Sequence, residues 1–490
     1  MNLRWRQVSS IGTTLCAAIA VRAETTVATI FSDHAVLQRD RPVPVWGTAN
    51  PRAAVSVTFG SQSQLTHADA SGRWQLELAP MPASPEPADL VIQGDRVFVI
   101  HNVLVGEVWL CSGQSNMARP MVDQPGRKPI VNSAEELRMA NHPQLRLFKV
   151  ARAQADAAAL TVGHWVTCTP ATLAQSSFSA VGYFFGRELQ RELEVPVGLI
   201  DASVGSTRIE SWTPAAGFSA VPSLRELSRA ARVPGTSAEG LIPSRVFNGM
   251  VHPLAPFALR GVIWYQGENN LHDVVDGARY TDKMEALILG WRSVWRDPDL
   301  AFYYVQLAPH LYHVVFPDKI ASPEALPIFW EAQTASLRIP HTGMVVTTDL
   351  VEDLFDIHPP RKREVGERLA RLALARSYGR QGISDSGPRF NHLNITDGQA
   401  RLWFDDIGSG LKTRDGKAPT WFTIAGSDGI FFPAVAVIEG GEVVVVSSPD
   451  VAKPVAVRFA WDEAARPNLV NSAGLPAVPF RSRSYPGERP

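Results

Sequence analysis

Cysteine is scarce in this chain, with three among 490 residues. Cys16 falls in an N-terminal leader, which leaves Cys111 and Cys168, and two cysteines cannot make a disulfide framework. "VWLC" reads as a core strand, so a buried thiol is expected at Cys111, with a single Cys111–Cys168 bond as the alternative. An excess of one charge is lacking as well. Lys and Arg total 47 against 48 Asp and Glu, the net charge is -1, and no long run of either sign occurs. Binding to nucleic acid or to an acidic membrane surface therefore has no electrostatic support. No apolar stretch is long enough to span a bilayer permanently. There is no internal repeat, no low-complexity tract and no H-E-x-x-H, and the pair His310 and His313 in "HLYH" is a weak metal signal. No metal and no cofactor is expected.

What is present begins with an ordered N-terminus. "MNLRWRQ" is basic, "VSSIGTTLCAAIAV" is apolar and small, and Val21 and Ala23 stand where a signal peptidase reads. A signal peptide over residues 1–23, cleaved after Ala23, is expected, giving a secreted or periplasmic protein with no membrane attachment after cleavage. At this length, with 45% hydrophobic residues, 36 Gly and 37 Pro, the remainder should fold as more than one unit. Residues 24–102 hold short alternating runs such as "AAVSVTFG" and "RWQLELAP", which predict a small β domain of sandwich or barrel type.

Over 103–384 strands alternate with helices. "EVWLC", "VPVGLIDAS", "LRGVIWYQG", "LAFYYVQLAP" and "TGMVVTTDL" read as strands. Val181, Phe185, Leu189 and Leu193 form one helical stripe. Met284, Leu287, Ile288, Trp291 and Trp295 form a second, and Val365, Leu369 and Leu372 a third. This alternation predicts an α/β fold, a parallel sheet with helices on both faces. Residues 385–490 return to strands without helices, with Gly440 and Gly441 as a hairpin signal, and predict a C-terminal β domain.

Ligands of an open parallel sheet bind beyond the carboxyl ends of its strands. Those ends carry "SGQSN" with Ser115, "VGSTRIESW" with Gly205, "QGENN" with Gln266 and Asn269, and "VEDLFDIHPPRK" with Asp353, Asp356 and His358. Small residues, amides, a serine and a histidine on one rim suit acyl transfer. A serine hydroxyl needs an imidazole to take its proton, and the imidazole needs a partner to hold one tautomer. The oxyanion that forms needs donors already in place. The N–H groups of Ser115 and Gly205 with the amide of Asn269 or Gln266 would make that set. "GQSNM" is not a G-x-S-x-G elbow, because Met117 replaces the second glycine.

"LCSGQSNM", "WYQGENN" and "DIHPPRKREVGERLA" resemble conserved blocks of the SGNH hydrolases, in particular the sialate O-acetylesterase family and related carbohydrate acetylesterases. "IFSDHAVLQRDRPVPVWGTANP" and "NLVNSAGLPAVPFR" extend the resemblance over nearly the whole mature chain. It implies a flavodoxin-like hydrolase core and a metal-independent serine esterase that removes O-acetyl groups from sugars. Ser115 would be the nucleophile and His358 the base, with Gly205 and the 266–269 amides as oxyanion hole. The sugar is either O-acetylated sialic acid or plant hemicellulose such as xyloglucan. Phe355 stands where the general SGNH pattern has Asp. Asp356 is the first candidate to orient His358, Asp353 the second, and a backbone carbonyl could replace both. The third block often has its Asn one residue later, so Asn270 stays beside Gln266 and Asn269 as an oxyanion donor. Arg208, Glu268 and Asn270 are candidate substrate contacts, although a salt bridge to Glu210 is the ordinary role for Arg208 and a structural hydrogen bond for Glu268. An inactive glycan-binding protein and a metal-dependent phosphoesterase using Asp353, Asp356 and His358 are the rival functions.

Overall fold

The computed structural model describes residues 24–160, 162–271 and 274–482; the expected signal peptide lies outside them. The central element is one long strand, β1 (Val97–Gly113). Its first half pairs antiparallel with Ser84–Gln93 and parallel with Val36–Gln38. Its second half is a strand of the α/β sheet. The division expected between residues 102 and 103 therefore falls inside one continuous strand, and one hydrophobic core runs from Val45, Val57 and Trp74 through Trp109 to Trp291 and Leu369.

The α/β sheet adds β2 (His142–Lys149), β3 (Val197–Ser203), β4 (Gly261–Tyr265), β5 (Ala301–Val305) and β6 (Thr342–Val345). Their order is β2-β3-β1-β4-β5-β6, all parallel, with Trp165–Cys168 antiparallel at the outer edge. β2 was not among the expected strands: only its Leu145–Phe148 stretch is buried, and Pro143 and Gln144 blur its start. Helices α1 (Ala180–Leu193), α2 (Val274–Trp295) and α3 (Lys362–Arg376) flank the sheet. Successive side chains on β5 show why both faces need cover. Tyr303 stacks on Trp109, whose ring meets Phe185 of α1 at 5.1 Å, while Phe302 turns the other way and meets Trp291 of α2 at 5.8 Å. The α/β fold expected from the alternation is the one found.

The chain builds β2 and β3 on one side of β1, then crosses to build β4, β5 and β6 on the other. β1 thus ends at the point where the winding reverses, the place where open sheets leave a crevice. After α3 come antiparallel sheets with their own core, centred on Leu402, Val444, Val446, Val457 and Phe459. Gly440 and Gly441 both take positive φ between strands Val435–Glu439 and Val443–Ser447, as the hairpin signal required. Cys111 and Cys168 are both free and buried, so the alternative of a disulfide is not realised. Among the described residues no helix is long and apolar enough to cross a membrane.

Candidate active site

β1 stops because Gly113 takes φ +135°, and a Cβ there would lie 2.1 Å from the Tyr265 carbonyl oxygen of β4. Only glycine permits that approach. Gln114 follows with its N–H on the same carbonyl at 2.9 Å, and its side-chain oxygen accepts from the N–H of Asn269 at 3.3 Å and from Gln266 Nε2 at 3.2 Å. The turn after β1 and the turn after β4 are therefore built as one unit. Ser115 opens the short helix Ser115–Ala118.

His358 arrives from the opposite direction, on the segment that leads from β6 into α3. Its Nε2 lies 2.9 Å from Ser115 Oγ, across 243 residues of sequence. For Nε2 to accept the hydroxyl proton, the ring proton must sit on Nδ1. Burial pushes the imidazole down to about 3, helped by the positive charges of Arg127, Lys362 and Arg119 and by His310. The ring is therefore neutral, and an acceptor, over the ordinary pH range. Arg119, itself buried, holds the segment by donating to the His358 carbonyl at 2.7 Å and to the Lys128 carbonyl.

The two carboxylates considered as partners of His358 lie elsewhere than on its ring. Asp356 Oδ1 accepts from the backbone N–H of His358 at 2.9 Å, and its Oδ2 is buried without a hydrogen-bond partner among the described residues. Asp353 faces outward and accepts from Lys128 Nζ at 2.7 Å and from the Phe355 N–H at 2.9 Å; the Lys128 contact holds its carboxyl below the usual range. Asp356 thus shapes the backbone that carries the ring, and Asp353 ties that segment to the loop after Ser115.

The donors divide clearly. Gly205, at the end of β3, backs onto Ser115: a Cβ on it would come within 3.3 Å of the serine Cβ. Neither the Ser115 nor the Gly205 N–H is used in a hydrogen bond among the described residues. Asn269 is half-buried and gives one amide hydrogen to the Ser206 carbonyl at 3.2 Å, which leaves the other. Gln266 does not fit the expectation of an oxyanion donor. It is fully buried, and its amide nitrogen is spent on Thr207 O at 3.0 Å and Asn270 Oδ1 at 2.8 Å, besides Gln114.

The three candidate substrate contacts are also drawn inward. Asn270 is buried, accepts from the Ile209 N–H at 2.9 Å and donates to Glu210 Oε2 at 3.0 Å. Arg208 is bound to Glu210 at 2.8 Å. Burial works against charge on Glu210, but Lys283 at 2.6 Å and Arg208 hold its carboxyl below the ordinary value. Glu268 is buried and its Oε1 accepts from Asn116 Nδ2. Asn270, Glu210 and Glu268 are buried and find partners inside the protein, whereas Arg208 keeps 21% of its side chain exposed.

Arg119, Asn116 and Lys362 also belong to the site, Lys362 donating its Nζ to Asn116 Oδ1 at 2.5 Å, and no motif of the sequence singles them out. Among the described residues no cluster of three or more His, Cys, Asp or Glu side chains is arranged to hold a metal. What the arrangement can do is take a proton from a hydroxyl at the carboxyl end of the central strand and meet a developing negative charge with fixed N–H groups.

Residues 105–375 match a family described as carbohydrate esterase, sialic acid-specific acetylesterase. The sialate O-acetylesterase of Homo sapiens is 31% identical over 401 residues, covering 74% of this chain and 72% of that protein. The one from Rattus norvegicus is 30% identical over 426 residues, covering 74% and 75%. The crystal structure of a carbohydrate acetylesterase from Xanthomonas citri superposes with a TM-score of 0.83 at 37% identity, over 94% of this chain and all of that one. The chain belongs to the sialic acid-specific acetylesterase family of carbohydrate esterases, and is a carboxylic ester hydrolase.

Proposed function

We propose that the enzyme removes O-acetyl groups from sugars through an acetyl-enzyme, with Ser115 as nucleophile and His358 as general base. The observation that carries this reading is the 2.9 Å contact between Ser115 Oγ and His358 Nε2. As Ser115 Oγ attacks the acetyl carbonyl, its proton passes to Nε2 and the carbonyl oxygen becomes an oxyanion facing the N–H groups of Ser115 and Gly205 and the amide of Asn269. Collapse breaks the bond to the sugar oxygen, which takes the proton from the imidazolium, and an acetyl group is left as an ester on Ser115 Oγ. Water, deprotonated by the same nitrogen, then attacks the acetyl carbonyl; the bond to Ser115 Oγ breaks, Oγ takes the proton back from the imidazolium, and acetate leaves. Arg119, Arg127 and Lys362 beside the ring disfavour imidazolium, but they favour the oxyanion that forms with it. Asp356 supports the histidine through its backbone N–H.

The two sugar classes make different demands. A neutral hemicellulose fragment such as xyloglucan needs an apolar face, and Phe355, 64% exposed on the His358 segment, offers one. O-acetylated sialic acid needs a cation for its carboxylate, and Arg127 is exposed on the loop after Ser115. Acetate release from 9-O-acetyl sialic acid, acetylated xyloglucan oligosaccharides and acetylated xylan distinguishes them. The protein for this assay is taken from the periplasm or culture medium, its first residue expected to be Glu24 on N-terminal sequencing. At least one substrate should be turned over, and Ser115→Ala should lower the rate by at least about 10³-fold. An alanine variant as fast as the parent would rule the mechanism out.

A further inference from the structure

Asn116, the residue after the proposed nucleophile, is almost completely buried, and all three of its side-chain contacts go to different segments of the chain. Nδ2 donates to the carbonyl oxygen of Ile357 at 3.0 Å, the residue immediately before His358. The same nitrogen donates to Glu268 Oε1, in the turn after β4. Oδ1 accepts from Lys362 Nζ at 2.5 Å, in the first turn of α3. The amide orientation is forced: the oxygen must face the ammonium, and the two N–H bonds must face the carbonyl and the carboxylate. An aspartate here would set a carboxylate against two acceptors, and a leucine would leave three polar groups buried without partners.

We propose that Asn116, anchored between Lys362 and Glu268, is a positioning residue that ties the Ser115 turn to the His358 segment and so sets the distance between hydroxyl and imidazole. This rests on the serine-histidine mechanism above. Apart from Asn116, Lys362 meets the Tyr265 ring and Glu268 the backbone N–H groups of its own turn. Lys362 is buried to 1% exposure, with its ammonium 5.4 Å from the centre of the Tyr265 ring. Glu268 is buried to 3%, with Oε2 lacking a hydrogen-bond partner among the described residues. Two ionisable groups withdrawn from water at this cost, with one amide between them and a reacting pair on either side, make a clamp.

Lys362 also has an electrostatic part. The charged groups around it are Arg119, Glu268, Asp356 and Arg127; those around His358 are Arg127, Lys362, Arg119 and His310. Burial brings Lys362 down to about 7, so on the acid side of neutrality it carries its charge and opposes protonation of the imidazole. Removing that cation raises the pH at which His358 takes up a proton.

The test is Lys362→Met, with 4-nitrophenyl acetate as substrate and pH profiles of kcat and kcat/KM. The expected result is a fall in kcat of about 10–100-fold, the penalty of a misplaced reacting group, with KM changed less than about two-fold. The acid limb of kcat/KM should move to higher pH. An unchanged kcat, or a fall in kcat with the acid limb unmoved, overturns the proposal, since a purely structural lysine would not touch the limb. Should Lys362→Met fail to fold, Asn116→Ser is read in its place, with the same fall in kcat expected and parental kcat overturning the inference. Loss of activity in Ser115→Ala with parental behaviour in these variants defeats the clamp alone; full activity in Ser115→Ala defeats the mechanism beneath it.

Discussion

The two β regions of this enzyme are attached to its α/β sheet in opposite ways. The N-terminal one shares a strand and a core with it: β1 pairs with Ser84–Gln93 at one end, with β3 and β4 at the other, and ends at the turn that carries Ser115. The C-terminal one has a separate core, adds Val478 to the shared one, and otherwise meets the sheet's rim through polar contacts. Glu463 accepts from the His313 N–H at 3.1 Å and from its ring, and its own carbonyl accepts from the His310 N–H at 3.2 Å. Arg414 pairs with Asp349 at 3.2 Å, and Arg466 donates to the Glu352 carbonyl at 3.3 Å. These contacts fall on the segments after β5 and β6, and the Leu311 N–H joins the two at 3.0 Å through the Leu354 carbonyl, four residues before His358. The first region therefore bears on whether the sheet folds, and the second on how its rim is held.

That contrast can be broken at either end. Trp74, buried in the N-terminal sheet with its ring nitrogen on the carbonyls of Thr26 and Thr48, should cost about 3–5 kcal/mol when replaced by alanine. Because the core is continuous, Trp74→Ala should lower the midpoint at which esterase activity is lost together with the circular-dichroism midpoint, in one transition. If activity survived a first unfolding step, the N-terminal region would be an independent unit. Glu463→Ala should act on turnover rather than on the sheet. Loss of its two hydrogen bonds to His313 should reduce kcat/KM by roughly 3–10-fold through loosened placement of the His358 segment, with only a small shift in the midpoint. Unchanged kinetics would make the C-terminal region a passenger.

Much of this was legible in the sequence, for a physical reason. Ser115 and Gly205 follow apolar strands directly, and small residues at strand ends stand out against Val, Ile and Trp. The helices around Phe185, Trp291 and Leu369 show their period because one face of each is buried. What stayed hidden depended on side-chain direction. Gln266, Asn269 and Asn270 are equivalent by type, and only the fold shows that two of them are used up inside. Asp356 is two residues from His358, a spacing that fits either its ring or its backbone, and the chain chose the backbone. Lys362 reads as a solvated lysine, although one cue was present. A cation in the first turn of a helix opposes the helix dipole, and a residue placed against that preference usually has another partner.

An acetyl-enzyme on Ser115 can be trapped and seen. The enzyme is mixed with 4-nitrophenyl acetate, quenched in acid within the first turnover, digested and examined by mass spectrometry, with His358→Ala alongside. One acetyl group is expected on the peptide containing Ser115, located at that serine, with none accumulating in the His358 variant on the same timescale. Rapid turnover with Ser115 never modified, or an acetyl group carried by a different side chain, would contradict it.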